Sequence, residues 1–193
     1  MITLRKPVVT GLFVLSLALG CSGDQPYDMD AEVAAANTAV KALAGALQTE
    51  LKAAMQAGGP VSAITVCNTQ ALAITQQVSL EQGVVVHRVS QRNRNPVNSP
   101  NEWQAAVLDD FERRKSSGAD TGDLQWSEIT NVAGGQEFRF MKAIPTGGVC
   151  LACHGTELSD QVSEVISGLY PEDRATGFSV GDIRGAFVVT RRL

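Results

Sequence analysis

Two cysteines and a histidine stand within five residues, in the run Cys150-Leu151-Ala152-Cys153-His154. This C-x-x-C-H spacing is the attachment motif of c-type haem. Two thiols three residues apart can add across the two vinyl groups of haem, and the next residue then places its imidazole on the iron from the same side. The sequence therefore predicts one covalently attached haem c, with His154 as an axial ligand.

Other interpretations of this motif fit the sequence less well. A structural zinc site needs four ligands, and the sequence has neither a second C-x-x-C nor a paired histidine. A thioredoxin-like redox pair needs a strand before the motif and a helix after it, whereas glycines on both sides predict a loop here. A simple disulfide between Cys150 and Cys153 is the remaining alternative.

The N-terminus has the pattern of an export signal. Arg5 and Lys6 precede an apolar run over residues 7–19, and small residues follow it. This pattern predicts a secretory signal peptide over residues 1–20, which is too short to span a membrane. Because covalent haem attachment takes place after export, the two motifs agree.

Cys21 follows Leu17-Ala18-Leu19-Gly20, which resembles a bacterial lipobox, although Ala18 is a weaker choice than Leu at its position. We expect cleavage before Cys21 and a lipid on its thiol; plain cleavage or an uncleaved anchor are the alternatives. By the same resemblance, Ser22 rather than an Asp after the cysteine favours an anchor on the periplasmic side of the outer membrane over one in the inner membrane. Residues 21–30 would then form a polar, lipid-anchored tether, and residues 31–193 one haem domain.

Charge and composition exclude several classes of partner and activity. The chain has 16 Lys and Arg against 20 Asp and Glu, and 5% of its residues are aromatic, which argues against nucleic acid as a partner. With two histidines in all, one of them assigned to iron, an enzyme site of the peroxidase type is not expected. The expected partners are a redox or signalling protein and the membrane that holds the anchor.

Helical periodicity and turn residues indicate an α+β fold. Apolar spacing predicts a helix over residues 31–57, a second from Pro60 after a Gly-Gly break, and another over 161–169, while a capping box at Ser99-Pro100-Asn101-Glu102 predicts one that breaks at Gly118. Strands are predicted over residues 84–90, 124–130, 136–144 and 183–192. Helices first and strands later, with a hairpin near residue 133, favour an antiparallel sheet.

The second axial ligand has several candidates, namely Cys67, His87, Met141, Met55 or water. Cys67 is favoured because Cys21 would carry the lipid and the motif cysteines the haem, and because periodicity places Cys67 in the middle of the buried face of its helix. A thiolate ligand stabilises ferric haem and so lowers its potential. The alternative is a core cysteine that acts as a small hydrophobic residue.

Haem would also bring two propionates, which need hydrogen-bond donors at the edge of the pocket. The loop after the first predicted strand is rich in such donors, and Arg92, Arg94 and Asn95 are its candidates. Arg139, on a predicted strand, is a further candidate. The alternative for each of these residues is an ordinary solvated side chain.

From about Pro60 to the end, the sequence resembles the PAS-like single c-type haem domain family. Its members occur as free-standing exported bacterial proteins and as sensor portions of signalling proteins. Phe140 and Ala143 depart from the family pattern, which has Tyr and Pro there. The matching stretches are Val66-Cys67-Asn68, Arg94-Asn95-Pro96-Val97-Asn98, Trp103, Phe138-Arg139-Phe140-Met141-Lys142, Ile144-Pro145-Thr146, the haem motif with Gly155, Tyr170-Pro171 with Asp173, Ala175-Thr176-Gly177, and Gly181-Asp182-Ile183-Arg184-Gly185-Ala186.

The resemblance implies a PAS-like antiparallel sheet flanked by helices and preceded by an N-terminal helical segment, with haem c held against the sheet. It also implies that Cys67 is the sixth ligand of the iron. One-electron transfer by a membrane-tethered, cytochrome-like protein is then the expected function. The alternative is a redox or small-gas sensing module, in which reduction releases the distal ligand or NO or CO displaces it.

Overall fold

A four-stranded antiparallel sheet forms the centre of the computed structural model, which describes residues 27–193. The strands are β1 (Val85–Val89), β2 (Gln125–Val132), β3 (Gly135–Pro145) and β4 (Ile183–Arg192). Their order in the sheet is β1-β4-β3-β2, and every neighbouring pair is antiparallel. The predicted α+β class and antiparallel sheet are therefore confirmed. The predicted signal peptide and Cys21 lie outside the described residues.

Within residues 27–193, four helices accompany the sheet: α1 (Met29–Gln82), α2 (Glu102–Ser116), α3 (Leu151–His154) and α4 (Asp160–Leu169). Short 3₁₀ turns lie at Pro96–Asn98, Thr121–Asp123 and Gly148–Cys150. No helix within residues 27–193 is both long and apolar enough to cross a membrane.

Helix α1 consists of two helices joined at a kink. Gly58 and Gly59 leave helical geometry, with φ of −162° and +68°, and Pro60 begins the second half. The positive φ of Gly59 is one that residues with a side chain rarely adopt, so the break predicted from the Gly-Gly-Pro run is confirmed. The second half starts at once, without an intervening loop.

The two halves of α1 pack on different parts of the molecule. The first half covers one face of the sheet, where Ala36, Ala39, Val40 and Leu43 meet Val86, Phe138, Phe140 and Val189. The second half packs against α4 through a smaller apolar cluster of Ile64, Val162, Ile166 and Tyr170. The kink thus lets one helix support both the sheet and the segment after β3.

Helix α2 covers part of the opposite face of the sheet. Its buried Val107, Leu108 and Phe111 pack in one cluster with Val89, Met141, Ala143, Ala186 and Val188. Because side chains alternate along a strand, the same face continues past α2 with His87, Thr190, Arg139 and Glu137. The sheet face is therefore apolar under α2 and polar beyond it.

The N-cap of α2 is Asn101, so the predicted capping box was wrong by two residues. Oδ1 of Asn101 accepts from the backbone N–H of Gln104 at 3.1 Å, and Oε1 of Gln104 accepts from the N–H of Asn101 at 2.9 Å. Asn and Gln make the same reciprocal pair as the Ser and Glu that the sequence suggested. Ser99 instead accepts from Nδ2 of Asn93 at 3.0 Å.

Candidate functional site

The Cys150–His154 segment forms a tight helical turn directly after β3. Gly148–Cys150 is a 3₁₀ turn and Leu151–His154 is one turn of α-helix. Cys150 and Cys153 are both free thiols and half-buried. A Cβ at Gly155 would lie 2.6 Å from the carbonyl oxygen of Leu151, so the chain can leave this turn only through glycine. Two thiols and an imidazole therefore stand on one turn of the chain.

The imidazole of His154 is held in one tautomer. Its Nδ1 lies 2.6 Å from the carbonyl oxygen of Ala175, which can only accept a hydrogen bond, so Nδ1 carries the proton. Burial lowers the pKa of His154 to about 3, helped by Arg184 and Arg94 and opposed by the Ala175 bond. At neutral pH the ring is uncharged and Nε2 keeps a free lone pair, which is the state that metal ligation requires.

Residues 175–178 fix the orientation of this ring. The backbone N–H of Phe178 donates to the carbonyl oxygen of His154 at 2.9 Å, and that of Gly177 donates to the carbonyl oxygen of Gly155 at 2.8 Å. The Phe178 ring meets the imidazole edge-on, with centroids 6.4 Å apart. Backbone pairing and an aromatic contact together hold the imidazole in place.

Arg94 joins three segments around the motif. Its Nε lies 3.0 Å from Oδ1 of Asp173, and its Nη2 donates to the carbonyl oxygen of Cys153 at 2.6 Å. The side chains of Arg94 and Asp173 are only 11% and 9% exposed. Arg94 lies at the motif as predicted for a propionate donor, but most of its donors are already used by protein oxygens.

The other three predicted propionate donors lie in different places. Arg92 lies beside the site, with its guanidinium 3.9 Å from the centre of the Phe178 ring. Oδ1 of Asn95 accepts from the backbone N–H of Val97 at 3.1 Å, so Asn95 caps its own turn. Arg139 is on the α2 side of the sheet, paired with Glu137 and Glu128. The structure thus brings Arg92 to the motif and does not bring Arg139 there.

Arg184 lies close to His154, although the sequence suggests a structural ion pair with Asp182 for it. Its Nη1 donates to Oγ of Ser90 at 3.3 Å and to the carbonyl oxygen of Arg92 at 3.2 Å. Its Nε is buried and has no acceptor within the described chain. Burial, with the charges of Arg94 and Arg88, lowers the pKa of Arg184 to about 10.

The position of Arg184 at the motif is difficult to predict from the sequence, because the nearby Asp182 suggests an ordinary ion pair with it. In the structure Asp182 accepts instead from Nζ of Lys115 at 2.8 Å. Arg88 also lies near the motif and was not predicted from the sequence. Strand alternation places it beside Val86 on the face that α1 covers, and burial lowers its pKa while the Cys67 thiol opposes that shift.

Cys67 is exposed, so its predicted position in the middle of a buried helix face was wrong. Ile64, one turn earlier in the helix, is buried against α4. The residues of α4 that cover Ile64 do not bury Cys67. Neighbouring atoms still desolvate the sulfur and raise the pKa of the thiol, while the charges of Arg88 and Arg94 oppose part of that rise. Cys153 packs against the cluster that contains Ile64, and Cys67 is close enough to raise the pKa of Cys153, so Cys67 lies near the motif.

The other candidates for a second axial ligand lie elsewhere. Met141 is completely buried in the core under α2. His87 lies on the α2 side of the sheet, the side away from Arg88, and its Nε2 is 3.3 Å from Nε2 of Gln104. Met55 precedes the kink of α1. Among the protein side chains considered, Cys67 is the one whose neighbours include the motif.

The charges around His154 are strongly unbalanced. Arg88, Arg92, Arg94 and Arg184 surround it, and within residues 27–193 Asp173 is the carboxylate that pairs with them. A half-buried group of guanidinium ions with an unpaired buried Nε lacks counter-charge. Free thiols, a neutral imidazole and excess cations are the donor set that a haem with two propionates requires, so the residues present fit the predicted cofactor.

Comparison with known proteins gives one family and one structure. A family model described as Tll0287-like (Tll0287) matches residues 26–191. The crystal structure of the cyanobacterial heme-protein Tll0287 is 25% identical in sequence and has a TM-score of 0.61, and the alignment covers 86% of this chain and 97% of that one. No curated protein matches the sequence. Because the family model spans most of the sequence, this chain belongs to the Tll0287-like family.

Proposed function

We propose that this chain is an exported, lipid-anchored monohaem c-type protein that transfers single electrons. Cys150 and Cys153 would hold the haem covalently, and His154 and Cys67 would be its axial ligands. The observation that carries the proposal is the 2.6 Å bond from Nδ1 of His154 to Ala175, which leaves Nε2 free in a fixed ring. The similar protein Tll0287 is a heme-protein by its description, which supports the same cofactor here.

Haem bound at this site would supply a one-electron Fe(III)/Fe(II) couple. The chain's own residues would set the stability of the two oxidation states. A cysteine thiolate favours the ferric state. Desolvation raises the pKa of the Cys67 thiol, and the charges of Arg88 and Arg94 oppose part of that rise. We therefore expect a midpoint potential lower than that of a methionine–histidine site.

Arg88, Arg92 and Arg184 are the proposed partners of the propionates. Arg184 has a buried Nε without an acceptor, and Arg92 lies over the Phe178 ring that contacts His154. Arg94 has a different role in this proposal, since its bonds to Cys153 and Asp173 position the motif. Asn95 and Arg139, which were candidates in the sequence, have no part in it.

The test is to produce the chain together with haem-c maturation machinery and to record ferric and ferrous absorption spectra with electron paramagnetic resonance. Haem that resists acid–acetone extraction and a low-spin ferric signal with thiolate character are expected. A double variant, Cys150→Ala with Cys153→Ala, should lose covalent haem. Haem that stays attached in that variant would overturn the assignment, and a Cys21→Ser variant is a control that should lose membrane attachment alone.

Sensing of redox state or of a small gas is the second candidate function. The raised pKa of the Cys67 thiol, caused by desolvation, favours it, because a sulfur released from ferrous iron would take up a proton and leave the iron open. Ferrous protein that binds CO or NO within the mixing time would support sensing. A ferrous form that keeps both ligands and exchanges electrons rapidly and reversibly would support electron transfer.

A further inference from the structure

A cleft of about 510 Å³ opens on the sheet face where α2 ends and the polar surface begins. Its floor and wall include His87, Thr190, Arg139, Glu137, Asn101 and Trp103. The successive residues His87 and Arg88 point to opposite faces of β1, so this cleft lies on the other side of the sheet from Arg88, one of the arginines near His154. Its volume is within the range of small-molecule sites.

An ion pair lies in this cleft. Nε of Arg139 donates to Oε1 of Glu137 at 2.8 Å, and Nη1 of Arg139 lies 3.2 Å from Oε1 of Glu128. The side chains of Arg139 and Glu137 are 19% and 21% exposed, so their charges are partly shielded from water. Nη2 of Arg139 has no hydrogen-bond partner within the described chain. One free guanidinium nitrogen and two carboxylates therefore stand together.

Neutral groups add hydrogen-bond donors around the pair. The amide nitrogen of Gln104 can only donate to Nε2 of His87, so the proton of the neutral His87 ring is on Nδ1. Burial lowers the pKa of His87, which keeps the ring neutral at physiological pH. Thr190 and Trp103 also line the cleft, and each carries a group that can donate a hydrogen bond.

One of the two tryptophans of the chain, Trp103, lines the cleft, and the other, Trp126, packs on it. The rings of Trp103 and Trp126 stack with centroids 5.8 Å apart, and the Arg139 guanidinium lies 5.0 Å from the Trp103 ring. Trp103 forms the apolar side of the cleft, and both rings pack against the core under α2. The cleft thus combines an aromatic wall with a pair of opposite charges.

We propose that this cleft binds a small zwitterion of the amino-acid class, with its ammonium group on Glu137 and its carboxylate on Arg139. A ligand with only a carboxylate would face the repulsion of Glu137 and Glu128, and one with only an ammonium group would face Arg139. A zwitterion places an opposite charge on each partner and replaces the existing ion pair without leaving a charge unpaired. The aromatic wall receives the apolar part of the ligand.

The two indole N–H groups allow a direct test on the full haem-loaded chain. Protein labelled with ¹⁵N in tryptophan is titrated with each of the twenty common amino acids at millimolar concentration, and the indole resonances are followed. At least one amino acid should cause a saturable shift. Its decarboxylated amine and its deaminated acid should each bind at least about tenfold more weakly, since each loses one charge-assisted contact.

Variants then locate the site. Arg139→Gln and Glu137→Gln should each weaken binding about ten- to hundredfold. Arg113→Gln is the matched control, because Arg113 pairs with Asp110 on the exposed side of α2. If Arg139→Gln does not fold, Glu137→Gln and Thr190→Val carry the test. Absence of a saturable shift with every amino acid, or equal binding of either singly charged analogue, overturns the proposal.

Discussion

Arg94 donates a 2.6 Å hydrogen bond from Nη2 to the carbonyl oxygen of Cys153, across 59 positions of sequence. The same guanidinium is paired with Asp173 at 3.0 Å, in the segment that leads to Ala175. One side chain therefore ties the loop after β1 to both halves of the site. This arrangement makes the geometry of the thiols depend on a residue that would not touch the iron.

Replacing Arg94 should destabilise the fold as well as the site. Arg94→Gln leaves the buried Asp173 carboxylate without its partner, and we expect the free energy of unfolding to fall by about 3–5 kcal/mol. Chemical denaturation measures this loss. Arg113→Gln, which removes an exposed arginine of α2, should change stability by less than about 1 kcal/mol. A similar small change in both variants would show that the Arg94–Asp173 pair has no structural role.

Replacing Cys67 tests its ligation of the iron separately from the covalent attachment of the haem by Cys150 and Cys153. Cys67→Ser should keep covalent haem, change the ferric spectrum and raise the midpoint potential, because a strong thiolate donor is lost. Absorption spectroscopy and a potentiometric titration measure the two effects. Thr69→Ser, on an exposed position of the same helix, is the control and should leave both unchanged. An unaltered spectrum in Cys67→Ser would remove this residue from the ligand set.

The haem-free fold should lose stability as the pH falls. The pKa of His154 is about 3 in the folded state against an ordinary value of 6.5, so between these values the unfolded chain binds more protons. In a Cys150→Ser, Cys153→Ser background, stability should decrease from about pH 7 to about pH 4. Adding His154→Gln should flatten that slope. His87 shifts in the same direction, so the difference between the two proteins isolates His154.

Two glycines should respond to alanine in opposite ways. Gly185 has φ of +155°, and a Cβ there would lie 2.3 Å from the carbonyl oxygen of Val89, so Gly185→Ala should cost more than about 1 kcal/mol. Gly168, within α4, has no atom within 4 Å of an added Cβ. Gly168→Ala should therefore gain about 0.5–1 kcal/mol from helix propensity. Thermal unfolding should show a lower melting temperature than the wild type for Gly185→Ala and a higher one for Gly168→Ala.

The sequence was most informative where the signal was local. The bounds predicted for the last strand, 183–192, are those of β4, and the break at Gly58-Gly59-Pro60 is the kink of α1. Each rests on neighbours in the chain: alternation for the strand, and backbone freedom for the kink. The C-x-x-C-H motif belongs to the same group, since its geometry is contained in one helical turn.

The residues that complete the site depend on contacts between distant segments. The oxygen that orients His154 is a backbone carbonyl, at Ala175, which has no sequence signature. Arg184 reaches the site because β4 pairs with β1. In the sequence it looks like an ion-pair partner of Asp182, and no local pattern shows that Asp182 pairs with Lys115 instead. The exposure of Cys67 has the same cause, because helical periodicity gives a face but not the extent to which α4 covers it.

The position of β4 in the sheet sets an order of events during folding. β1 has β4 as its strand partner, and β4 lies between β1 and β3 although it follows both in the chain. Pairing of β1 with β4 must therefore close a long loop that contains α2, the β2–β3 hairpin and the turn with Cys150 and Cys153. Because such non-local pairing forms slowly, the hairpin can form before the sheet is complete, and the last strand joins the two parts of the site.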